Sequence, residues 1–167
     1  MATVYVETTI PSYLAAWPSA DLVLAAHQKI THDWWRLAGE NDELFVSETV
    51  IAECRRGDPD AAARRMAVID LLPILELNDE IELLHHEYLN RLGLPDKAQA
   101  DALHIATAVY YEMDCIVTWN CRHIVNDETI RRLMRANLEL GWATPAIVTP
   151  ESLLLRYSNG RRPQKES

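Results

Sequence analysis

Residues 101–120 read DALHIATAVYYEMDCIVTWN, and this stretch decides the fold. Its first part, DALHIATAVYYEM, returns Ala102, Ile105, Ala106 and Val109 at helical spacing, which predicts a helix able to pack closely. Its second part, CIVTW, is apolar and β-branched and predicts a short buried strand. A helix that feeds directly into such a strand is the repeating unit of a parallel sheet.

The same alternation extends in both directions. Thr3–Val6 suits a central strand; it stops at Glu7-Thr8-Thr9, where Thr9 is expected to cap a helix whose early turn tolerates Pro11. A second helix is expected from Ser19 or Asp21 to about Ala38, with Leu22, Ala26, Ile30, Trp34 and Leu37 facing the core. Leu44–Val46 reads as a strand, followed by Ser47 as cap of a helix through Arg55. Gly57-Asp58-Pro59 breaks the chain before an alanine-rich helix to Leu71. Pro73–Leu77 suits an edge or an interior strand, and Asp79 to about Leu92 is helical until Gly93-Leu94-Pro95 ends it. Beyond Asn120, the turn-like NCRHIVN leads to an amphipathic helix from Asp127 to about Leu140. A strand at Ala146–Val148 and a last helical turn or two after Pro150 complete the pattern. Short strands separated by such helices imply an α/β sandwich with right-handed crossovers. The expected organisation is one domain over residues 1–155 and a flexible basic tail over residues 156–167.

Charge narrows the range of functions. Sixteen Lys and Arg stand against 25 Asp and Glu, for a net charge of −9, which argues against a surface that grips phosphate backbones everywhere. Nucleic acid can still be handled if cations carry part of the attraction or if basic side chains cluster locally. Cys54, Cys115 and Cys121 are odd in number and form no CxxC, a reduced-compartment pattern. MATVYVETTIPSYL lacks the flank and apolar run of a secretion signal, and no run reaches bilayer-spanning length. The expectation is a cytoplasmic protein with no membrane association.

Parallel sheets place their reactive groups beyond the carboxyl ends of the strands. Glu7 ends the first strand and Asn120 follows CIVTW; Glu53 lies late on the helix after LFVS, and Asp101 opens the most regular helix. The informative expectation is that these four residues converge. Three carboxylates and an amide are hard oxygen donors of the kind that suit Mg²⁺ or Mn²⁺. Like charges about 4 Å apart repel by roughly 4 kcal/mol at an effective dielectric near 20, and a divalent cation removes that penalty. Each residue also has an ordinary reading: acids favour helix starts and solvated faces, and Asn forms turns. Thr8 and Thr118 are candidates to orient a ligand or water, or simple caps. Arg122 and His123 are candidate phosphate contacts, while His104 either reaches the cleft or packs as a core histidine. Cys121-x-His123 and His85-His86 are too little for zinc, and GxGxxG, GxxxxGK[ST] and GxSxG are absent.

Taken together, VYVETTIPSYL, SETVIAEC, ADALHIATA and IVTWNCRHIVN resemble the PIN-domain proteins, specifically the VapC-like toxin ribonucleases of toxin–antitoxin pairs. The resemblance runs from Val4 to about Leu154. It implies a PIN-like three-layer sandwich with a central, mostly parallel sheet of about five strands flanked by helices. It implies metal-dependent hydrolysis of RNA phosphodiester bonds, with Mg²⁺ or Mn²⁺ held by Glu7, Glu53 and Asp101. The first acidic position of the family maps to Glu7, where Asp is more usual, the second to Glu53 and the third to Asp101. The fourth, commonly Asp in Thr-x-Asp, is occupied by Asn120 in Thr118-Trp119-Asn120. Asn120 keeps an oxygen acceptor but cannot act as a carboxylate base. The partners implied are RNA, an antitoxin protein and a second copy of the chain, with the early helices and the Trp34-Trp35 pair as contact faces. The competing reading is a catalytically weak PIN-like module for RNA binding or protein assembly, motivated by Asn120 and the net charge of −9. A phosphoesterase for small substrates has no nucleotide-cradling loop to support it.

Overall fold

The structure, a computed structural model, describes residues 1–160. Five strands, β1 (Ala2–Val6), β2 (Asp42–Ser47), β3 (Ile74–Leu75), β4 (Cys115–Val117) and β5 (Ala146–Val148), form one sheet in the order β3-β2-β1-β4-β5. Every neighbouring pair is parallel, so the sheet is parallel throughout. The connections run through α1 (Thr9–Ala15), α2 (Leu22–Asn41), α3 (Glu48–Cys54), α4 (Pro59–Ile69), α5 (Asp79–Arg91), α6 (Gln99–Tyr110) and α7 (Asp127–Leu140). The last described element is α8 (Pro150–Gly160). Val4, Tyr5 and Val6 are all inaccessible, so both faces of central strand β1 are covered, as a three-layer sandwich requires. The Pro73–Leu77 segment contributes only two strand residues, at the β3 edge.

Two local expectations are corrected. Thr9 is the first residue of α1 rather than its cap; Thr8 occupies the cap position without making a side-chain cap bond. Glu7 takes over that role, because its carboxylate accepts the Thr9 backbone N–H at 3.0 Å. On α2, Leu22 is 86% exposed and Ala26 is also exposed, while Gln28, Thr31, Trp34 and Ala38 face inward. The reason is polar matching beneath the helix. Gln28 accepts from the Ser19 N–H and donates to the Trp17 carbonyl, and Thr31 accepts the indole N–H of Trp119 at 2.7 Å. Buried donors and acceptors need such partners, and they outrank an apolar stripe read from spacing alone.

Trp34 is fully buried and Trp35 half-buried, their rings meeting edge to face. The Trp34 indole donates to the Tyr157 hydroxyl, which in turn donates to Asp42, so α8 is tied to α2 and to the start of β2. Residues 156–160 of the expected basic tail therefore belong to α8; residues 161–167 lie outside the described residues. Cys54 and Cys115 are buried, Cys121 is exposed, and all three are free thiols. Among the described residues, no helix is long and apolar enough to cross a membrane.

Candidate active site

The parallel ladder brings the ends of β1 and β4 together. The Glu7 N–H continues the pairing to the Val117 carbonyl, which sets Glu7 beside Thr118. Glu7 is 3% exposed. One of its carboxylate oxygens, Oε2, accepts from the Thr9 N–H at 3.0 Å, the Thr9 hydroxyl at 2.5 Å and the Thr118 hydroxyl at 2.7 Å. The same hydroxyls organise the opposite strand end: Thr9 Oγ1 accepts the Trp119 N–H and Thr118 Oγ1 accepts the Asn120 N–H, both at 2.9 Å. Trp119 is held from its other side by Thr31 and by stacking on His27, with ring centroids 4.0 Å apart. Glu7, Thr9, Thr118 and Asn120 thus form one hydrogen-bonded seam across the top of the sheet.

Asp101, in the first turn of α6, meets that seam. Its Oδ1 accepts from the Asn120 side-chain amide at 3.0 Å, and its Oδ2 lies 3.3 Å from Nδ1 of His123. Asn120 spends its own side-chain oxygen on the His123 backbone N–H, so its amide presents a donor, not an acceptor, to Asp101. Burial pushes the Asp101 carboxyl above its ordinary range, against the pull of His123 and the Asn120 bond, and the negative charge of Glu7 adds to the rise.

Glu53 is held differently. Thr8 donates to its Oε1 at 2.9 Å, and the same oxygen pairs with Nε2 of His104. Nδ1 of His104 lies 2.6 Å from the Tyr5 hydroxyl, which lies 2.7 Å from the hydroxyl of Ser47, the cap of α3. Burial works against ionisation of Glu53, but the bond and charge of His104 outweigh it and hold the carboxyl below its ordinary range. Burial also opposes protonation of His104. The bond to Glu53 and the charges of Glu7, Glu53 and Asp101 overcome it, so His104 is pushed up.

Glu7, Glu53, Asp101 and Asn120 therefore lie in one electrostatic neighbourhood, with Thr8, Thr118, His104 and His123 bonded to them. Arg122 is exposed, and its carbonyl accepts from Asn126. Sequence pattern marks Thr9 and Ser47 as helix caps and leaves Tyr5 unmarked, so none of the three stands out as a site residue. Thr9 had a usable signal, a hydroxyl two residues after the strand-end acid; Tyr5 and Ser47 had none beyond their strand and cap positions. The donor chemistry of the three carboxylates fits a hard divalent cation. In this arrangement the acids engage separate partners, and among the described residues no three His, Cys, Asp or Glu side chains are grouped tightly enough to hold one ion.

The chain matches no protein-family model and no curated protein. Its fold is nonetheless shared with solved structures. The VapBC2 complex of Rickettsia felis, bound to a DNA fragment from its promoter, aligns with a TM-score of 0.59 at 15% identity, over 88% of this chain and 98% of that chain. VapBC-1 of nontypeable Haemophilus influenzae aligns at 0.54 and 15% identity, over 89% and 98% of the two chains. VapC20 of Mycobacterium tuberculosis, a Sarcin-Ricin loop cleaving toxin, aligns at 0.50 and 18% identity, over 68% and 86%. These likenesses establish a VapC-like, PIN-like α/β fold, as the sequence resemblance implies.

Proposed function

We propose that this chain, on its VapC-like fold, is a metal-dependent endoribonuclease acting as the toxin of a toxin–antitoxin pair. One observation carries the reading. Glu7 and Asp101, from distant parts of the sequence, are linked through Thr118 and Asn120 beside the carboxyl ends of adjacent strands β1 and β4. A site so loaded with negative charge is suited to Mg²⁺ or Mn²⁺ bound near Glu7 and Asp101, with Glu53 contributing directly or through water. When bound, such an ion lowers the pKa of a water and offsets charge developing on a phosphodiester.

The chain's own residues supply the positioning. Thr9 and Thr118 fix Oε2 of Glu7, so the orientation of the other carboxylate oxygen is set before a ligand arrives. Asn120 and His123 hold the two oxygens of Asp101. His104 keeps Glu53 ionised and is itself locked by Tyr5. His123 is partly exposed and stands where an incoming phosphate competes with Asp101 for its N–H.

Two partner assignments belong to the same proposal, the first supported by the fold likeness and the second by exposed apolar side chains. An antitoxin inserting Arg or Lys among the carboxylates would suppress access to RNA. A second copy would cover apolar side chains on the α1–α2 connection and at the start of α2, where Trp17 is 74%, Leu22 86% and Val23 66% exposed.

Asp101→Asn tests the central reading. It removes the negative ligand while retaining size, so RNA cleavage in Mg²⁺ or Mn²⁺ is expected to disappear. Because the Asp101 carboxyl is raised in the folded protein, its ionisation costs stability as pH climbs above the ordinary value of 3.8. Asp101→Asn is therefore expected to be at least as stable as wild type at neutral pH, by urea denaturation in EDTA. Cleavage of a broad RNA panel that survives in this variant, or in EDTA, would remove the assignment.

A further inference from the structure

Away from the acidic seam, a groove of roughly 510 Å³ runs between the end of α5 and the outer face of α7. Its charged lining is Arg91, Glu128, Arg131, Arg132, Arg135 and Glu139. Arginines thus outnumber acids in this groove, although the chain as a whole carries −9. Such a local excess of cations is one way for an acidic protein to handle a polyanion.

The groove is built around a positioned guanidinium. Arg132 donates from Nε to Glu128 at 2.6 Å and from Nη1 to the Leu92 carbonyl at 3.2 Å. Its head lies over Gly93, where an added Cβ would stand 1.9 Å from Nη1. Gly93 has φ +64°, a left-handed conformation that favours glycine on its own account. Glycine therefore serves both the turn that ends α5 and the seat of the guanidinium. Arg91 is paired with Glu87 and Glu139, and Arg131 with Glu128; among the described residues Arg135 has no ion-pair partner. Exposed pairs of this kind are worth about 0–1 kcal/mol, so a polyanion can exchange with the glutamates at little cost. Arginine's planar donor fork suits phosphate oxygens in particular.

Position connects the groove to the acidic seam. Asn126 caps α7 by accepting the Thr129 N–H, and the turn before it contains Asn120 and His123. At 1.5 Å per residue, Arg131 and Arg135 lie about 6 and 12 Å along α7 from its first residue, one turn apart on the same face.

We propose that the α5–α7 groove binds the phosphate backbone of single-stranded RNA and leads the strand toward the acidic seam. The inference rests on the ribonuclease reading for its choice of RNA over an acidic protein segment.

The test uses the full chain and a short fluorescent single-stranded RNA in EDTA. Anisotropy is followed between about 50 and 200 mM salt for wild type and for Arg131→Gln/Arg135→Gln. Each phosphate contact contributes about 0.7 to the slope of log affinity against log salt, so loss of two contacts should flatten the slope by about 1.4 and weaken binding roughly tenfold at low salt. Gly93→Ala should weaken binding as well, by displacing Arg132; circular dichroism checks that the variants remain folded. An unchanged slope and affinity in the folded double variant overturns the proposal, as does wild-type protein that binds no RNA. Displacement of the RNA by polyglutamate at equal charge concentration also overturns it, in favour of an acidic protein partner. Cleavage by wild type in Mn²⁺ separates the two readings. If binding depends on the arginines but no cleavage occurs, the groove stands and the nuclease assignment fails; if cleavage occurs but binding ignores the arginines, only the groove fails.

Discussion

Two histidine–carboxylate pairs lie in one electrostatic neighbourhood and behave in opposite ways. His104 and Glu53 form a pair closed at its histidine: that side chain is 1% exposed and its second ring nitrogen is occupied by Tyr5, while Glu53 itself is 25% exposed. His123 and Asp101 form an open pair, 15% and 18% exposed and 3.3 Å apart. Glu53 is pushed down and Asp101 up. Both carboxyls feel burial as their largest influence, so burial does not separate them. The difference lies in what opposes it. A tight bond to a fully enclosed histidine outweighs the burial of Glu53, whereas a longer contact to His123 and a neutral amide do not outweigh the burial of Asp101. The closed pair is thereby a scaffold for the site, and the open pair is the part free to exchange partners with a ligand.

Breaking the closed pair should have the largest effect. His104→Ala leaves the Tyr5 hydroxyl and Glu53 without their shared partner and opens a cavity, at a cost of about 3 kcal/mol by urea denaturation. The cost should depend on pH. A raised His104 contributes stability that is complete below its ordinary value of 6.5 and is lost as pH rises through its folded value. A lowered Glu53 contributes stability that is complete above its ordinary 4.5 and is lost as pH falls through its folded value. In EDTA the gap between wild type and variant should therefore be widest between those two values and narrow on either side. A loss well under 1 kcal/mol at every pH would show that the pair is no scaffold.

Altering the open pair should have a smaller effect that changes sign with metal. Asn120→Asp replaces the amide donor 3.0 Å from Asp101 with a second carboxylate. In EDTA it should cost about 2 kcal/mol, through a lost hydrogen bond and a new repulsion. Mn²⁺ should reverse the loss, and calorimetry should show tighter binding than in wild type. Equal stability in EDTA together with unchanged Mn²⁺ affinity would place Asn120 outside the working site. Smallest of all, Thr8→Val removes one of the two bonds on Oε1 of Glu53 while His104 remains, and should cost about 1 kcal/mol. A loss as large as that of His104→Ala would mean that Thr8, not the histidine, holds the carboxylate.

By itself the sequence determined the order and kind of the main elements, because hydrophobic periodicity and caps act over a few residues. A strand within CIVTW, at Cys115–Val117, the helix before it, the Asp127–Leu140 helix and the strand at Ala146–Val148 all occur where local pattern places them. It also singled out Glu7, Glu53, Asp101 and Asn120, since acids and amides at strand ends and helix starts stand out against apolar surroundings. Only the tertiary structure decided which partners those groups take. Tyr5 meets His104 across 99 residues and Glu7 meets Thr118 across 111, distances at which no spacing rule operates. The inward face of α2 and the role of Thr9 escaped local reading for the same reason: each is set by a polar group arriving from elsewhere in the chain. The arginine groove is legible only once α5 and α7 are packed together, because its lining is drawn from two helices about 40 residues apart and gains its character from the side chains they share.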